Sequence, residues 1–261
     1  MEILTKEDVK WKGTEYYNSL KSKWNDDKYG LYWQKRYQHK SSVGAMVYLC
    51  ETWKPESYED FFNMYISKYE GSDDIHRGRS LEELEKIAKN WQSDVGDFET
   101  PLSEYFDAII LHTVVETYVG ADFEKRAVER LEECGFKAVH GTDEEDSLMN
   151  IDYKIYKDNT LKYFLQIKPL SFVISDRTHT FKDRVNAFGK HNIGNKKYPG
   201  VPYYYLVYDA STVRWLYNKD KDRCLFKYEE LVDGFGNPIK SLREMKKYET
   251  DELFNNNFLK N

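Results

Sequence analysis

Cysteine is scarce in this sequence. The three residues, Cys50, Cys134 and Cys224, stand far apart and none belongs to a C-x-x-C pair. That excludes a disulfide framework and a cysteine-built zinc site, and a reducing, cytoplasmic setting is expected. No stretch comes near the roughly 18 consecutive apolar residues of a membrane span, and residues 1–8 have no signal-peptide core, so no membrane partner is expected. The chain has no G-x-x-x-x-G-K-[ST], no H-E-x-x-H and no G-x-S-x-G, which argues against a nucleotide cofactor, a helix-borne zinc protease and a serine hydrolase. Internal repeats and low-complexity tracts are missing too.

An excess of positive charge is also lacking. Lys and Arg number 39 against 45 Asp and Glu, a net charge of -6, which taken as an average discourages phosphate binding. The distribution says otherwise. Residues 10–40 hold eight basic side chains (Lys10, Lys12, Lys21, Lys23, Lys28, Lys35, Arg36, Lys40) against three acidic ones, interleaved with Trp and Tyr. Residues 170–197 hold six basic (Arg177, Lys182, Arg184, Lys190, Lys196, Lys197) against two acidic. Acidic charge collects at 82–107 and 129–146. With 22 Tyr, 14 Phe and 6 Trp in 261 residues, the chain can bury a large core, in one large domain or two small ones.

Periodicity divides the chain. The first hundred residues read as mainly helical, anchored by Ser80-x-x-Glu83, a capping box ahead of apolar positions 81, 84, 87, 88 and 91. A second helix is expected from about 102 to a break or bend near Gly120, and a third from about 121 to 134, ended by Gly135. The period then shortens from 3.6 to 2. Residues 136–140 read as a strand, and 149–156 and 161–168 as a hairpin around a polar turn. Residues 180–189 suit a helix, and the run 202–209 suits a central strand buried on both faces. The expected class is α/β, a central mixed β-sheet flanked by helices, with a helical region over 1–100 and a sheet-bearing core over 101–261.

The hairpin carries polar residues that pure structure does not require. Gln166 and Lys168 share one strand face, and an odd-length turn would put Asp152 opposite Gln166 on that face. Glu124, in one helical row with Ala127, Val128 and Leu131, is directed towards the sheet. Two carboxylates, an amide oxygen and an ammonium suit hydrolysis of a phosphodiester. Oxygen ligands hold Mg2+, the metal activates water, and Lys168 positions that water or steadies developing charge. Glu116 is the alternative to Glu124. His179 and His191, on a basic segment, read as contacts to phosphate or solvent.

Glu124 on a helix, then Asp152, then Gln166-Ile167-Lys168 closing the next strand resembles the active-site pattern of the PD-(D/E)xK nuclease superfamily. The stretch 120–136 resembles the helix ahead of that sheet in type II restriction endonucleases. Two positions depart from the pattern: Asn150-Ile151-Asp152 stands where Pro-Asp is usual, and Gln166 fills the acidic slot. The resemblance covers about residues 118–210 and implies a Mg2+-dependent endonuclease, with Mn2+ able to substitute. The metal would be held by Asp152, Glu124, Gln166 and the main-chain carbonyl of Ile167. Double-stranded DNA is then the partner. Arg177, Lys182, Arg184, Lys190, Lys196 and Lys197 would track its backbone, while the N-terminal region, with Arg36, Arg77 and Arg79, would read bases. Cutting both strands of a palindrome implies a homodimer. A repair, junction-resolving or transposon-end nuclease, and a DNA-binding protein with a decayed nuclease fold, stay open as alternatives.

Overall fold

The computed structural model describes residues 3–38, 43, 46–67, 78–210, 214–217 and 223–239. The chain forms two compact units, Met1–Asp122 and Phe123–Asn261. The division falls after the expected boundary at 100/101, because the helix beginning at Leu102 contributes Leu102, Tyr105, Phe106 and Ile109 to the first unit's core.

The first unit is helical, with α1 (Thr14–Ser19), α2 (Lys21–Trp24), α3 (Tyr29–Tyr32), α4 (Met46–Trp53), α5 (Tyr58–Ile66), α6 (Leu81–Val95), α7 (Leu102–Ile110) and the start of α8 (Glu116–Glu133). α6 opens on the expected capping box, Ser80 Oγ accepting from Glu83 N while Glu83 reaches back to Ser80 N, and closes on Gly96 in the left-handed region at φ 69°. The aromatics of residues 10–40 mostly go inward. Trp24 is fully buried and meets Trp91 at 5.2 Å and Tyr105 at 4.8 Å between ring centroids. Of the break or bend expected near Gly120, the break does not occur, since α8 runs through it. A π-helical turn over Leu111–Val115 interrupts the path instead, and His112 on that turn stacks on Trp33. One glycine costs a helix about 1 kcal/mol, which packing of its neighbours can override.

The second unit holds β1 (Lys137–His140), α9 (Asp143–Met149), β2 (Tyr153–Lys157), β3 (Thr160–Pro169), α10 (Leu170–Ile174), α11 (Thr178–Lys197), β4 (Tyr203–Asp209), β5 (Arg214–Trp215), β6 (Leu225–Phe226) and α12 (Tyr228–Leu231). Among the described residues these strands form one mixed sheet in the order β1-β2-β3-β4-β5, with β6 also paired to β4. β3 and β4 are parallel and the other pairings antiparallel. β4 is buried on both faces, as its apolar run implies. The mixed α/β class, a central sheet with helices and a helical N-terminal region, is the observed one.

β2 starts later than the sequence pattern suggests. Residues 143–149 form α9, capped by Thr142 and Glu145 in a second capping box and ended by Asn150 in the left-handed region at φ 57°. The hairpin closes through Asp158 and Asn159, both at positive φ, a two-residue turn of the type that matches strand twist. An even turn alone would set Asp152 opposite Leu165. A bulge at Ile155/Tyr156 shifts the register by one, so that Tyr153 faces Leu165 and the residue before it faces Gln166.

Candidate active site

The bulge brings the polar face together. Gln166 Nε2 donates to Asp152 Oδ1 at 2.7 Å, and the Ile167 N–H donates to Asp152 Oδ2 at 3.0 Å. Lys168 Nζ lies 3.4 and 3.2 Å from the same two oxygens. Backbone contacts fix where the carboxylate stands. Asp152 O accepts from Gly141 N at 2.9 Å, and a Cβ on Gly141 would strike the Ile151 carbonyl, so only glycine permits this approach of β1 to the turn.

Gln166 is fully buried. Its nitrogen faces a carboxylate, which needs a donor, and its Oε1 is left with no hydrogen-bond partner. A buried carbonyl oxygen in that state costs about 1–3 kcal/mol, so the fold carries an acceptor that it does not use. Burial works against the charge on Lys168, but Asp152 beside it, with Glu124 and Asp146 further out, outweighs that and holds the ammonium's pKa above its ordinary value. Lys168 is therefore a cation at neutral pH.

Glu124 takes the half-buried position on α8 that its helical row implies. Its Oε2 accepts from the Tyr153 hydroxyl at 3.4 Å, and its neighbour Phe123 stacks on Tyr208 of β4 at 4.2 Å, which anchors this turn of α8 to the sheet. Glu116 is spoken for elsewhere, since its Oε2 meets His112 Nδ1 at 2.8 Å in the first unit. Among the described residues, no group of three or more His, Cys, Asp or Glu side chains is arranged to hold a metal. The donors are mixed: Asp152, the unpartnered Gln166 Oε1 and main-chain oxygen. These hard oxygens fit Mg2+, which takes few protein ligands and keeps water or phosphate on the rest.

The basic residues divide. Lys182 and Lys196 on α11 are exposed, Lys190 and Arg177 half-buried, and Lys197 approaches Glu144 and Glu145 at 3.8 and 3.9 Å. Arg184 corrects the expectation of a backbone contact. It is 1 % exposed, and its guanidinium donates to the carbonyls of Gly236, Phe172 and Ser175, joining α11 to the segments on either side. Arg79 is likewise buried, Arg36 pairs with Asp94 at 2.8 Å, and Arg77 lies outside the described residues. His191 is also not a phosphate or solvent contact. It is buried on α11, stacked on Tyr203 at 4.1 Å, and desolvation pushes its pKa down to about 4, so it is neutral. His179 has no described side chain.

Sequence reasoning missed Asn150, Tyr153, Asp146 and Tyr205 as neighbours of the site. Asn150 alone left a signal, as a residue tolerant of left-handed backbone after the box Thr142-x-x-Glu145.

A mixed sheet carrying a carboxylate, an amide and a lysine on one face, with a helical glutamate beside it, is the core of a restriction-endonuclease-like protein. Residues 32–211 match the model of the MjaI restriction endonuclease family, and the chain belongs to that family. The match reaches well back into the helical unit, beyond the stretch whose motifs carry the resemblance. No curated protein and no solved structure matches the chain. No helix among the described residues is long and apolar enough to cross a membrane.

Proposed function

We infer that this restriction endonuclease is a Mg2+-dependent, sequence-specific enzyme for double-stranded DNA, with its site at Asp152, Gln166, Lys168 and Glu124. The observation that carries the reading is the buried Gln166 Oε1 with no partner, set beside Asp152 and a lysine that stays charged. Asp152, Gln166 Oε1, the Ile167 carbonyl and Glu124 would hold the cation. When bound it lowers the pKa of water and offsets charge on the phosphate.

This chain's own groups do the rest. Lys168, held above its usual pKa, is a poor base and serves as a donor to the phosphate oxygen that gains charge as the P–O bond breaks. Asp152 orients that ammonium through two contacts. Gln166 brings no charge of its own, so metal affinity rests on Asp152 with Glu124. Lys182, Lys190, Lys196, Lys197 and Arg177 are the residues offered to the backbone, and Arg36 and Arg77 those offered to bases. A homodimer gives each strand of a palindrome its own site.

Digestion of a supercoiled plasmid with Mg2+ tests the reading. Discrete linear fragments are expected, with none in EDTA. Nicking, or cutting only at unusual structures, would instead indicate a repair or junction enzyme. Binding with no cutting would indicate a decayed site.

A further inference from the structure

Behind Asp152 lies a buried polar chain that the chemistry above does not use. Asn150 Nδ2 donates to the Tyr205 hydroxyl at 2.8 Å, and that hydroxyl is 3.0 Å from His191 Nε2. Tyr205 and His191 are buried, and His191 is seated between Tyr203, stacked at 4.1 Å, and the edge of Tyr228 at 5.3 Å. The hydroxyl already receives a proton from the amide, so it donates its own to a neutral imidazole. Donation runs from Asn150 through Tyr205 to His191, and the amide nitrogen also lies 3.4 Å from the same imidazole nitrogen.

The geometry ties this chain to the site. Tyr205 is the direct partner of Gln166 in the parallel β3/β4 ladder, so the two side chains leave the sheet on the same face. Asn150 lies on the other side of β3, at the turn that delivers Asp152. The Asn150–Tyr205 bond therefore spans β3, linking the turn before β2 to β4 across the strand that carries Gln166. α11 can come close enough to bring His191 in because residue 194 is glycine, where a Cβ would run into the Tyr203 hydroxyl.

Glycine is the default residue for left-handed backbone at a helix end, yet asparagine occupies position 150. Left-handed backbone accounts for an asparagine here but not for the bond its amide makes to Tyr205. We propose that Asn150, acting through Tyr205, is a positioning residue that fixes the Asp152 carboxylate and the Gln166 side chain against each other for cation binding and phosphodiester cleavage. The proposal rests on the nuclease reading of Asp152 and Gln166. It adds a requirement at a side chain that touches neither metal nor DNA.

The test compares Asn150→Gly, Tyr205→Phe, their double variant and Asp152→Ala with the unaltered chain. Three quantities are read: plasmid cleavage as kcat and KM, calorimetric titration with Mn2+, and thermal unfolding. Asn150→Gly keeps the left-handed turn and removes only the amide. Each single variant, assayed well below its own Tm, is expected to lose about 10–100-fold in kcat and a similar factor in Mn2+ affinity, with KM for DNA unchanged. The double variant should be no slower than the slower single one, because both substitutions cut the same link. Unaltered kcat and Mn2+ affinity in Asn150→Gly would overturn the proposal. So would a rate loss that tracks a fall in Tm and disappears on cooling. Cleavage by Asp152→Ala at the unaltered rate is a separate outcome, which sinks the nuclease reading itself.

Discussion

Two of the lysine–carboxylate pairs in the second unit, each with its lysine on a strand, differ in how completely their hydrogen bonds are closed. Lys154 meets Glu145 at 2.8 Å, and Lys168 meets Asp152 at 3.2 Å. Around Glu145 everything is satisfied. Its carboxylate takes Lys154, the Tyr198 hydroxyl and the Thr142 N–H, and although burial opposes its charge, these donors hold its pKa at about 2. Around Asp152 the neighbouring amide keeps an unused buried oxygen, and the lysine side chain is 26 % exposed where Lys154 is 15 %. Charge pairing on a sheet does not by itself mark a site. What separates the two is the acceptor left idle beside Asp152, on the strand that also carries Lys168.

Exchanging the roles of the two pairs by mutation is the most demanding test of that distinction. Asp152→Ala or Lys168→Ala should lower cleavage by about 10^3-fold or more. The fold should persist in Lys168→Ala, whose ammonium is open enough to reach water, whereas Asp152→Ala also strands the buried Gln166 amide and the Ile167 N–H and should cost some stability, so cleavage is read per folded molecule. Glu145→Ala should do the reverse. It strands Lys154, the Tyr198 hydroxyl and the Thr142 N–H, and removing one partner of a buried pair costs about 3–5 kcal/mol. Cleavage per folded molecule should survive. Urea melts and plasmid assays on the same preparations check both arms. If Glu145→Ala kept full stability and lost cleavage, the pair assigned to structure would belong to the site.

Much of this contrast was legible in the residues. Period-2 spacing put Gln166 and Lys168 on one face, and the helical row put Glu124 towards the sheet. The mixed α/β class followed from the change of period after Gly135. What stayed hidden depends on contacts between segments far apart in sequence. Arg184 reads as a phosphate ligand because a basic segment looks the same whether its arginine faces water or the carbonyls of Phe172, Ser175 and Gly236. The bulge that turns Asp152 to Gln166 leaves no mark, since Lys162, the extra residue between the partners of Tyr156 and Ile155, fits the alternation of an unbroken strand. α9 was missed for a local reason: the run 143–146 is all acidic and carries no apolar period, although acidic residues favour the first turn of a helix.

Acid should separate the two regions in stages. His191 is held at about 4 against an ordinary 6.5, so between those values the unfolded chain binds a proton that the folded chain refuses. Stability is then complete above about pH 6.5 and falls as pH drops towards 4, by about 3 kcal/mol at 1.4 kcal/mol per unit. Glu145, held at about 2 against 4.5, contributes stability above pH 4.5 that is lost as pH falls towards 2. Denaturant melts at pH 7, 5.5, 4 and 3 resolve the stages. His191→Gln keeps an acceptor for Tyr205 and should flatten the upper stage alone. An unchanged slope between pH 6.5 and 4 in that variant would show that His191 does not carry it.

The smallest expected effect lies at Gln166, where the comparison can be sharpened to one atom. Gln166→Glu replaces the donor Nε2 with a second carboxylate oxygen 2.7 Å from Asp152 Oδ1 in the unaltered geometry, so without a cation it sets two like charges against each other. Lys168 offsets part of that repulsion, and a divalent cation offsets more. The variant should therefore be less stable in EDTA than the unaltered chain and gain more Tm when Mg2+ is added. Gln166→Ala removes the unpartnered oxygen together with the donor, and should need about 10-fold more Mg2+ for half-maximal cleavage. Two measurements decide the role of this side chain: unfolding with and without Mg2+, and a Mg2+ titration of plasmid cleavage. If both variants matched the unaltered chain in each, the idle oxygen of Gln166 would have no part in binding the cation, and the contrast with the closed bonds around Glu145 would lose its functional meaning.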